Sequence, residues 1–191
     1  MRNVEAKFRL RNPDAVRARA IAIGFAPAGV LSQRDTFFKT VSGKLKLREE
    51  PAGAWLIYYR RGGAAGSQLS DYEIVPVAEP ERVRAIFSEA FGVIAEVRKQ
   101  RTLLLFSEPC SLRSSQWELA GESSEASDSV KNNTRLHLDR VESLGDFGEI
   151  EAVLGEGETP EANQNRVKEL LRQLGIDPAD LIEVSYFELM S

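Results

Sequence analysis

Alternation of polar and apolar residues is the clearest pattern in the chain, and it first appears in residues 3–10. Every second residue there is apolar (Val4, Ala6, Phe8 and Leu10), and the residues between them are polar or charged. Successive side chains of a β-strand point to opposite faces. This period of two therefore predicts a strand with one buried face.

The same alternation recurs along most of the chain. It predicts further strands in residues 29–40, 44–48, 55–61, 71–77, 93–106, 135–139 and 149–154. Three other segments place apolar residues at helical spacing; they begin at Asn12-Pro13, Pro80 and Thr159-Pro160 and end at Gly24, Gly92 and Gly175. We expect these helices to cover the apolar faces of the strands, whereas the tail from residue 177 shows no clear pattern.

Residues 107–133 have a different composition from the rest of the chain. They are rich in Ser, Glu and Asn and show almost no apolar period, which predicts a mobile insertion. The length of 191 residues, with 42% hydrophobic residues, suffices for one sizeable core. We therefore expect residues 1–191 to form a single domain.

Composition excludes several classes of function. The net charge of −4 argues against a nucleic-acid partner, and no apolar run is long enough to cross a membrane. One Cys and one His argue against a zinc site. The single cysteine also fits a reducing compartment, so we expect a cytoplasmic protein whose metal, if any, is a hard cation held by carboxylates.

The polar faces of the strands are unusually rich in charge. In chain order they carry Glu5, Lys7 and Arg9; Lys44, Lys46 and Arg48; Arg60 or Arg61; Lys99 and Arg101; Arg135, His137 and Asp139; and Glu149 and Glu151. A solvated sheet face is one interpretation. However, strands 44–48 and 99–101 carry no inward acid, whereas Glu149 and Glu151 form a purely acidic pair. Two cations about 4 Å apart repel by about 4 kcal/mol at an effective dielectric constant near 20. A bound triphosphate would offset that repulsion, and Glu5, Asp139, Glu149 and Glu151 would hold a divalent cation beside it.

The chain resembles the CYTH, or triphosphate tunnel metalloenzyme, superfamily, and within it the class IV adenylyl cyclases. The matching segments are residues 4–7, 33–38, 43–48, 56–61, 70–72, 99–101, 135–139 and 145–151. They occur in family order and span nearly the whole chain. The resemblance implies an α+β fold: a closed antiparallel barrel of eight strands that forms a tunnel, with helices packed outside.

The resemblance also implies roles for individual residues. Its triphosphate-binding residues map onto Lys7, Lys46, Arg48, Arg61, Lys99 and Arg101, and Arg135 is either a further member or a charge at the rim. Catalytic roles fall to Lys7, Arg48, Arg101 and Asp139. Mg²⁺ or Mn²⁺ would be held by Glu5, Glu149, Glu151 and Asp139. The family motif Glu-x-Glu-x-Lys has Asn3 at its first position here, which leaves a second metal site open.

Three functions remain open at this point. The first is a cyclase that converts ATP to cyclic AMP and pyrophosphate. The second is a triphosphatase acting on tripolyphosphate, thiamine triphosphate or a nucleotide, and the third is a non-catalytic triphosphate- or polyphosphate-binding module. In each case the expected partner is a small-molecule triphosphate, and a homodimer stays open.

Overall fold

Eight antiparallel strands close into a barrel in this computed structural model, which describes residues 1–62, 67–106 and 134–190. The strands are β1 (Arg2–Arg9), β2 (Phe25–Phe38), β3 (Lys44–Glu50), β4 (Gly53–Gly62), β5 (Gln68–Pro76), β6 (Val93–Phe106), β7 (Thr134–Val141) and β8 (Gly145–Val153). Their order around the barrel is β5-β4-β3-β2-β6-β7-β8-β1, and pairing of β1 with β5 closes it. The predicted barrel is therefore confirmed.

Helices pack against the outside of this barrel, as the pattern predicted. They are α1 (Pro13–Ala22), α2 (Pro80–Phe91) and α3 (Pro160–Leu174). The side chains of Asn12 and Thr159 accept hydrogen bonds from the backbone N–H groups at the starts of α1 and α3. Gly175 ends α3 in the left-handed conformation, with φ 68° and ψ 36°.

The main hydrophobic core lies between the barrel wall and helices α1 and α3. Val4, Ala6 and Phe8 on β1 are buried there together with Val16 of α1 and Val167 of α3. The apolar side chains of β1 therefore point outward into this core, and its polar side chains point into the barrel. Helix α2 is covered less completely, because Ile86 and Phe91 of its predicted apolar stripe remain exposed to about half their surface.

A short C-terminal segment closes one end of the barrel. After α3 the chain forms a 3₁₀ turn (Pro178–Asp180), a short strand β9 (Leu181–Ile182) beside β1, and a single helical turn α4 (Tyr186–Leu189). Tyr186 packs with Phe37, Val97, Val141 and Phe147, which are the inward-facing residues at that end of four strands. Sequence patterning did not identify this closure.

One expectation falls outside the described residues, and the structure corrects another. The insertion predicted at 107–133 lies outside the described residues. Strand β2 begins at Phe25, before the predicted position 29, because its first residues pair with the far end of the long strand β6. In the part of the chain that is described, no helix is both long and apolar enough to cross a membrane.

Candidate functional site

The barrel encloses a cavity of about 290 Å³ lined by the polar parity of the strands. On six of the eight strands, the inward positions from the α4 end outward are Lys7, Glu5 and Asn3 on β1; Asp35, Gln33 and Leu31 on β2; Lys46, Arg48 and Glu50 on β3; Lys99, Arg101 and Leu103 on β6; Asp139, His137 and Arg135 on β7; and Glu149 and Glu151 on β8. Charged residues therefore fill the middle of the cavity.

Three carboxylates form an acidic wall, which we define as Glu5 on β1 with Glu149 and Glu151 on β8. Glu5 and Glu151 are directly paired across the two neighbouring strands. A carboxylate oxygen of Glu5 lies 2.5 Å from Arg61, and one of Glu149 lies 3.4 Å from the Nζ atom of Lys7. Each carboxylate already faces a cation, although a ligand could exchange these contacts.

The pKa values of two of these carboxylates are shifted in opposite directions. Loss of solvation raises the pKa of Glu5, and the charge of Arg61 only partly opposes this change. Burial also disfavours ionisation of Glu149, but Lys7 and a hydrogen bond from His137 hold its pKa well below the usual range. The acidic wall therefore contains a fully ionised carboxylate beside one that is easier to protonate.

His137 and Asn3 hold the carboxylates of β8 in place. Nδ1 of His137 lies 3.3 Å from Glu149, and the Asn3 side-chain amide donates a 2.6 Å hydrogen bond to Glu151. Burial and the nearby charge of Arg101 lower the pKa of His137. The histidine is therefore held in its neutral form and serves the site as a hydrogen-bonding group.

Four cations form a basic wall, which we define as Lys46 and Arg48 on β3 with Lys99 and Arg101 on β6. In the ring of eight strands, β3 lies four strands from β8 and so faces part of the acidic wall across the cavity. The two halves of the basic wall flank β2. A polyanion that enters the cavity therefore meets donors from two strands.

A buried aspartate fixes each half of the basic wall. Asp35 accepts two hydrogen bonds of 2.7 Å from Arg48 and one of 2.9 Å from Lys46. Burial would raise the pKa of Asp35, but the charges of Arg48 and Lys46 hold it well below its usual range. The bidentate contact uses Nε and Nη2 of the guanidinium, and none of the described residues contacts Nη1 closely enough to bond it.

Asp139 on β7 fixes the other half of the basic wall, which is on β6. It accepts two 2.7 Å bonds from Arg101, one of 3.1 Å from Lys99 and one of 2.9 Å from the Tyr186 hydroxyl. Its side chain is fully buried, and it lies behind the cations, outside the cavity lining. Burial opposes its ionisation, but Arg101 and Lys99 keep the pKa of Asp139 below its usual range.

These contacts change the argument from charge repulsion. The sequence showed no inward acid on β3 or β6, but Asp35 of β2 binds Lys46 and Arg48, and Asp139 of β7 binds Lys99 and Arg101. Crowding nevertheless persists at the lysines. Burial together with Arg48 lowers the pKa of Lys46 to about 7, and burial together with Arg101 lowers that of Lys99 to about 8. Both ammonium groups would therefore be stabilised by a further anion.

The fold decides which of the residues that the sequence left ambiguous line the cavity. Arg61 faces the cavity and contacts Glu5, whereas Arg60 is exposed on the outer face. Arg135 lines the cavity at its outer end, 3.6 Å from Glu151. Lys44 instead bonds Ser185 and Glu188 beside α4, outside the cavity lining.

Asp35, Gln33 and Tyr186 are among the residues of the cavity that sequence reasoning missed. The first two lie on the inward parity of β2, where Phe37 and Leu31 also point inward, so no clean alternation revealed them. The Tyr186 ring lies 4.4 Å from Nζ of Lys7 and beneath Lys99. Its place in the site follows only from how the C-terminal segment folds back.

The donor set of the acidic wall fits a hard divalent cation such as Mg²⁺ or Mn²⁺. Three carboxylates on adjacent strands offer the oxygen ligands that such ions prefer. The Oδ1 atom of Asn3 is buried beside them and has no hydrogen-bond partner. Among the described residues, however, no three His, Cys, Asp or Glu side chains already converge on one point, so metal binding requires side-chain rotation away from Lys7 and Arg61.

Comparison with known proteins agrees with this architecture. The model of the CYTH domain family matches residues 1–186, whereas no curated protein matches the chain in sequence. Among solved structures, the PH1012 protein of Pyrococcus horikoshii OT3 has a TM-score of 0.77 at 22% identity, over 98% of both chains.

Two further solved structures carry more informative names. A putative adenylate cyclase from Vibrio parahaemolyticus has a TM-score of 0.68 at 21% identity, over 98% of this chain and 97% of that one. HpAC1 from Hippeastrum, described as a putative adenylyl cyclase with a dominant triphosphatase activity, has a TM-score of 0.60 at 18% identity, over 98% of this chain and 94% of that one. At these identities the similarity establishes the fold alone.

Proposed function

Because the chain belongs to the CYTH domain family, we propose that it is a divalent-metal-dependent enzyme that binds a triphosphate inside the barrel. One observation carries this proposal: a buried basic wall, with Lys46 and Lys99 of lowered pKa, shares a cavity with three carboxylates. A metal-bound triphosphate complements both surfaces at once, since its oxygens accept from the cations and its metal takes the carboxylates.

The arginines would bind the phosphate oxygens through the N–H groups that are not bonded to an aspartate. Arg48 and Arg101 each use Nε and Nη2 for an aspartate, so the Nη1 groups remain for a ligand. Asp35 and Asp139 thereby hold two planar guanidinium groups in fixed orientations. Lys7, Lys46, Lys99 and Arg61 would add further positive charge, with Arg135 at the outer end.

Glu5, Glu149 and Glu151 are the residues that would hold Mg²⁺ or Mn²⁺. When bound, such an ion supplies positive charge that offsets the negative charge of the phosphate oxygens. Asp139 was a further candidate ligand on the sequence, but its oxygens are engaged by Arg101, Lys99 and Tyr186. We therefore propose that Asp139 holds the cations of the basic wall in position.

The reaction that we propose is the cyclisation of ATP. The ribose 3′-oxygen bonds to the α-phosphorus as its proton passes to a base, the bond to the α,β-bridging oxygen breaks, and pyrophosphate leaves. Negative charge grows on the pyrophosphate during this step. Preorganised cations such as Arg48, Arg101 and Lys7 stabilise that charge more in the transition state than in the bound substrate. Names of structural neighbours support this choice.

Hydrolysis of a triphosphate is the second candidate, with water as the nucleophile. It uses the same cations and carboxylates, and the dominant triphosphatase activity named for the Hippeastrum neighbour favours it. Simple binding without turnover is the remaining alternative from the sequence. No observation of this chain favours it over the two reactions.

An assay of the purified protein with Mg²⁺ or Mn²⁺, against ATP and against tripolyphosphate, separates these functions. Cyclic AMP with pyrophosphate supports the cyclase, orthophosphate supports the triphosphatase, and binding without product supports the binding module. The double variant Glu149→Gln, Glu151→Gln should lose metal-dependent turnover. Glu161→Gln, at an exposed position of α3, is the matched control. Full activity in the double variant would contradict the metal assignment.

A further inference from the structure

Helix α2 turns one side to the barrel and leaves the other side uncovered. Val83 and Phe87 pack against a cluster of buried residues on β2, β3 and β4, and Arg84 binds Glu49 of β3. No residue of the helix is fully buried. The centre of its outward side is occupied by Ile86, which is 53% exposed. The described residues therefore leave more than half of this aliphatic side chain in contact with water.

Exposed apolar residues also lie close to both ends of α2. Val75 precedes the helix, Val93 and Ile94 follow it, and each of the three is exposed over about half of its surface. Several exposed aliphatic side chains around one helix mark a surface that gains free energy when it is buried. Contact with a second apolar surface would therefore stabilise this side of the molecule.

The outward side of α2 is complementary to itself. Arg82, Ile86 and Glu89 are spaced four and three residues apart, which places them along one side of the helix, and Ala85 lies beside Ile86. In an antiparallel pair of α2 helices with a two-fold axis between residues 85 and 86, Arg82 faces the partner's Glu89 and Ile86 faces the partner's Ala85. A cation then meets an acid at both ends of the contact, and a large side chain meets a small one at its centre.

The two charges are available for such a contact. Arg82 lies 3.3 Å from Glu79, but the two side chains are 74% and 68% exposed, and ion pairs at such positions contribute little to stability. Glu89 is exposed, and none of the described residues binds its carboxylate. Pairing with a second copy therefore breaks no contact that holds the barrel together.

We propose that this protein forms a two-fold symmetric dimer in which the outward sides of two α2 helices, defined by Arg82, Ala85, Ile86 and Glu89, pack antiparallel. A symmetric dimer uses the same patch on both subunits, so the patch has to be complementary to itself. None of the four residues lines the cavity, and the dimer is therefore independent of the proposed triphosphate site. A contact built around a helix of 12 residues is small, so we expect association in the micromolar range.

Sedimentation velocity of the full chain, at protein concentrations from about 1 to about 200 µM, tests this dimer. The wild type should change from a species of 21.2 kDa to one of twice that mass as the concentration rises. Arg82→Glu alone and Glu89→Arg alone each place like charges opposite one another at both ends of the contact, so each should weaken association about tenfold. An equimolar mixture of the two variants restores opposite charges at both ends and should associate as the wild type does.

A charge reversal elsewhere on the surface is the matched control. Lys168→Glu, at an exposed position of α3, should associate like the wild type, and circular dichroism checks that every variant is folded. A wild type that stays monomeric at all concentrations overturns the proposal and leaves this side of α2 to a partner of another kind. Association that neither single variant weakens, or that the mixture does not restore, overturns the antiparallel pairing of α2.

Discussion

Binding of a triphosphate should be accompanied by proton uptake at Lys46. Burial and the charge of Arg48 lower the pKa of Lys46 to about 7, so at pH 8 about nine-tenths of these side chains are neutral in the free protein. One phosphate charge about 4 Å away contributes about 4 kcal/mol at an effective dielectric constant near 20, which raises a lysine pKa by about 3 units. Lys46 is then almost fully protonated in the complex.

The expected uptake at Lys46 is about 0.9 proton at pH 8 and about 0.1 proton at pH 6. The sign follows from the raised pKa in the complex: the lysine contributes fully to affinity below about pH 7, and its contribution falls as the pH rises through the pKa of the bound state. Triphosphate affinity should therefore decrease from pH 7 towards pH 9.

Calorimetry in buffers of different ionisation enthalpy measures the protons exchanged on tripolyphosphate binding. The ligand itself loses protons, so the informative quantity is the difference between the wild type and Lys46→Gln at the same pH. Lys168→Gln, which removes an exposed lysine of α3, is the control and should match the wild type. Equal proton exchange in the wild type and Lys46→Gln at pH 8 would refute the reasoning.

Three further substitutions test the contacts that build the site and its barrel. Asp35→Asn leaves two buried cations without their counter-charge, so it should lower the free energy of unfolding by about 3 kcal/mol, measured by urea denaturation, with partial recovery in tripolyphosphate. In Gly148→Ala the new Cβ would clash with the buried ring of Phe8, and we expect a loss of about 1–3 kcal/mol in the same experiment; wild-type stability would show that the strand shifts freely. Tyr186→Phe removes the hydroxyl that donates to Asp139 and should cost about 1–2 kcal/mol, seen as a lower Tm, whereas an unchanged Tm would show that this bond does not anchor α4.

Much of the site could be predicted because its residues lie on strands with strict alternation. On β1, β3 and β8, apolar residues of one parity face the outer core, which forces the other parity inward. Glu5, Lys46 and Glu149 were therefore assigned to the cavity without any structure. The roles of these residues in metal and triphosphate binding remain predictions that the proposed assays test.

The positions of the residues that the sequence left ambiguous, and the contacts of Asp139, depend on neighbours far apart in the chain. Arg60 and Arg61 are neighbours on β4, so their side chains point to opposite faces of the strand. Pairing of β4 with β3 and β5 decides which of them faces the cavity. Asp139 looked like a metal ligand because it shares the inward parity of β7. Its contacts with Lys99 and Tyr186, 40 and 47 residues away, place it behind the cations instead.

Sequence alone determined where most of the barrel strands lie, which parity of β1, β3 and β8 is charged, and where α1, α2 and α3 begin. These properties depend on local spacing, because a one-residue slip would move every apolar side chain of a strand to the wrong face. Only the tertiary structure decided that Asp35 and Asp139 orient the arginines and that α4 closes one end of the barrel. Each of these depends on barrel closure, which brings strands distant in sequence around one cavity.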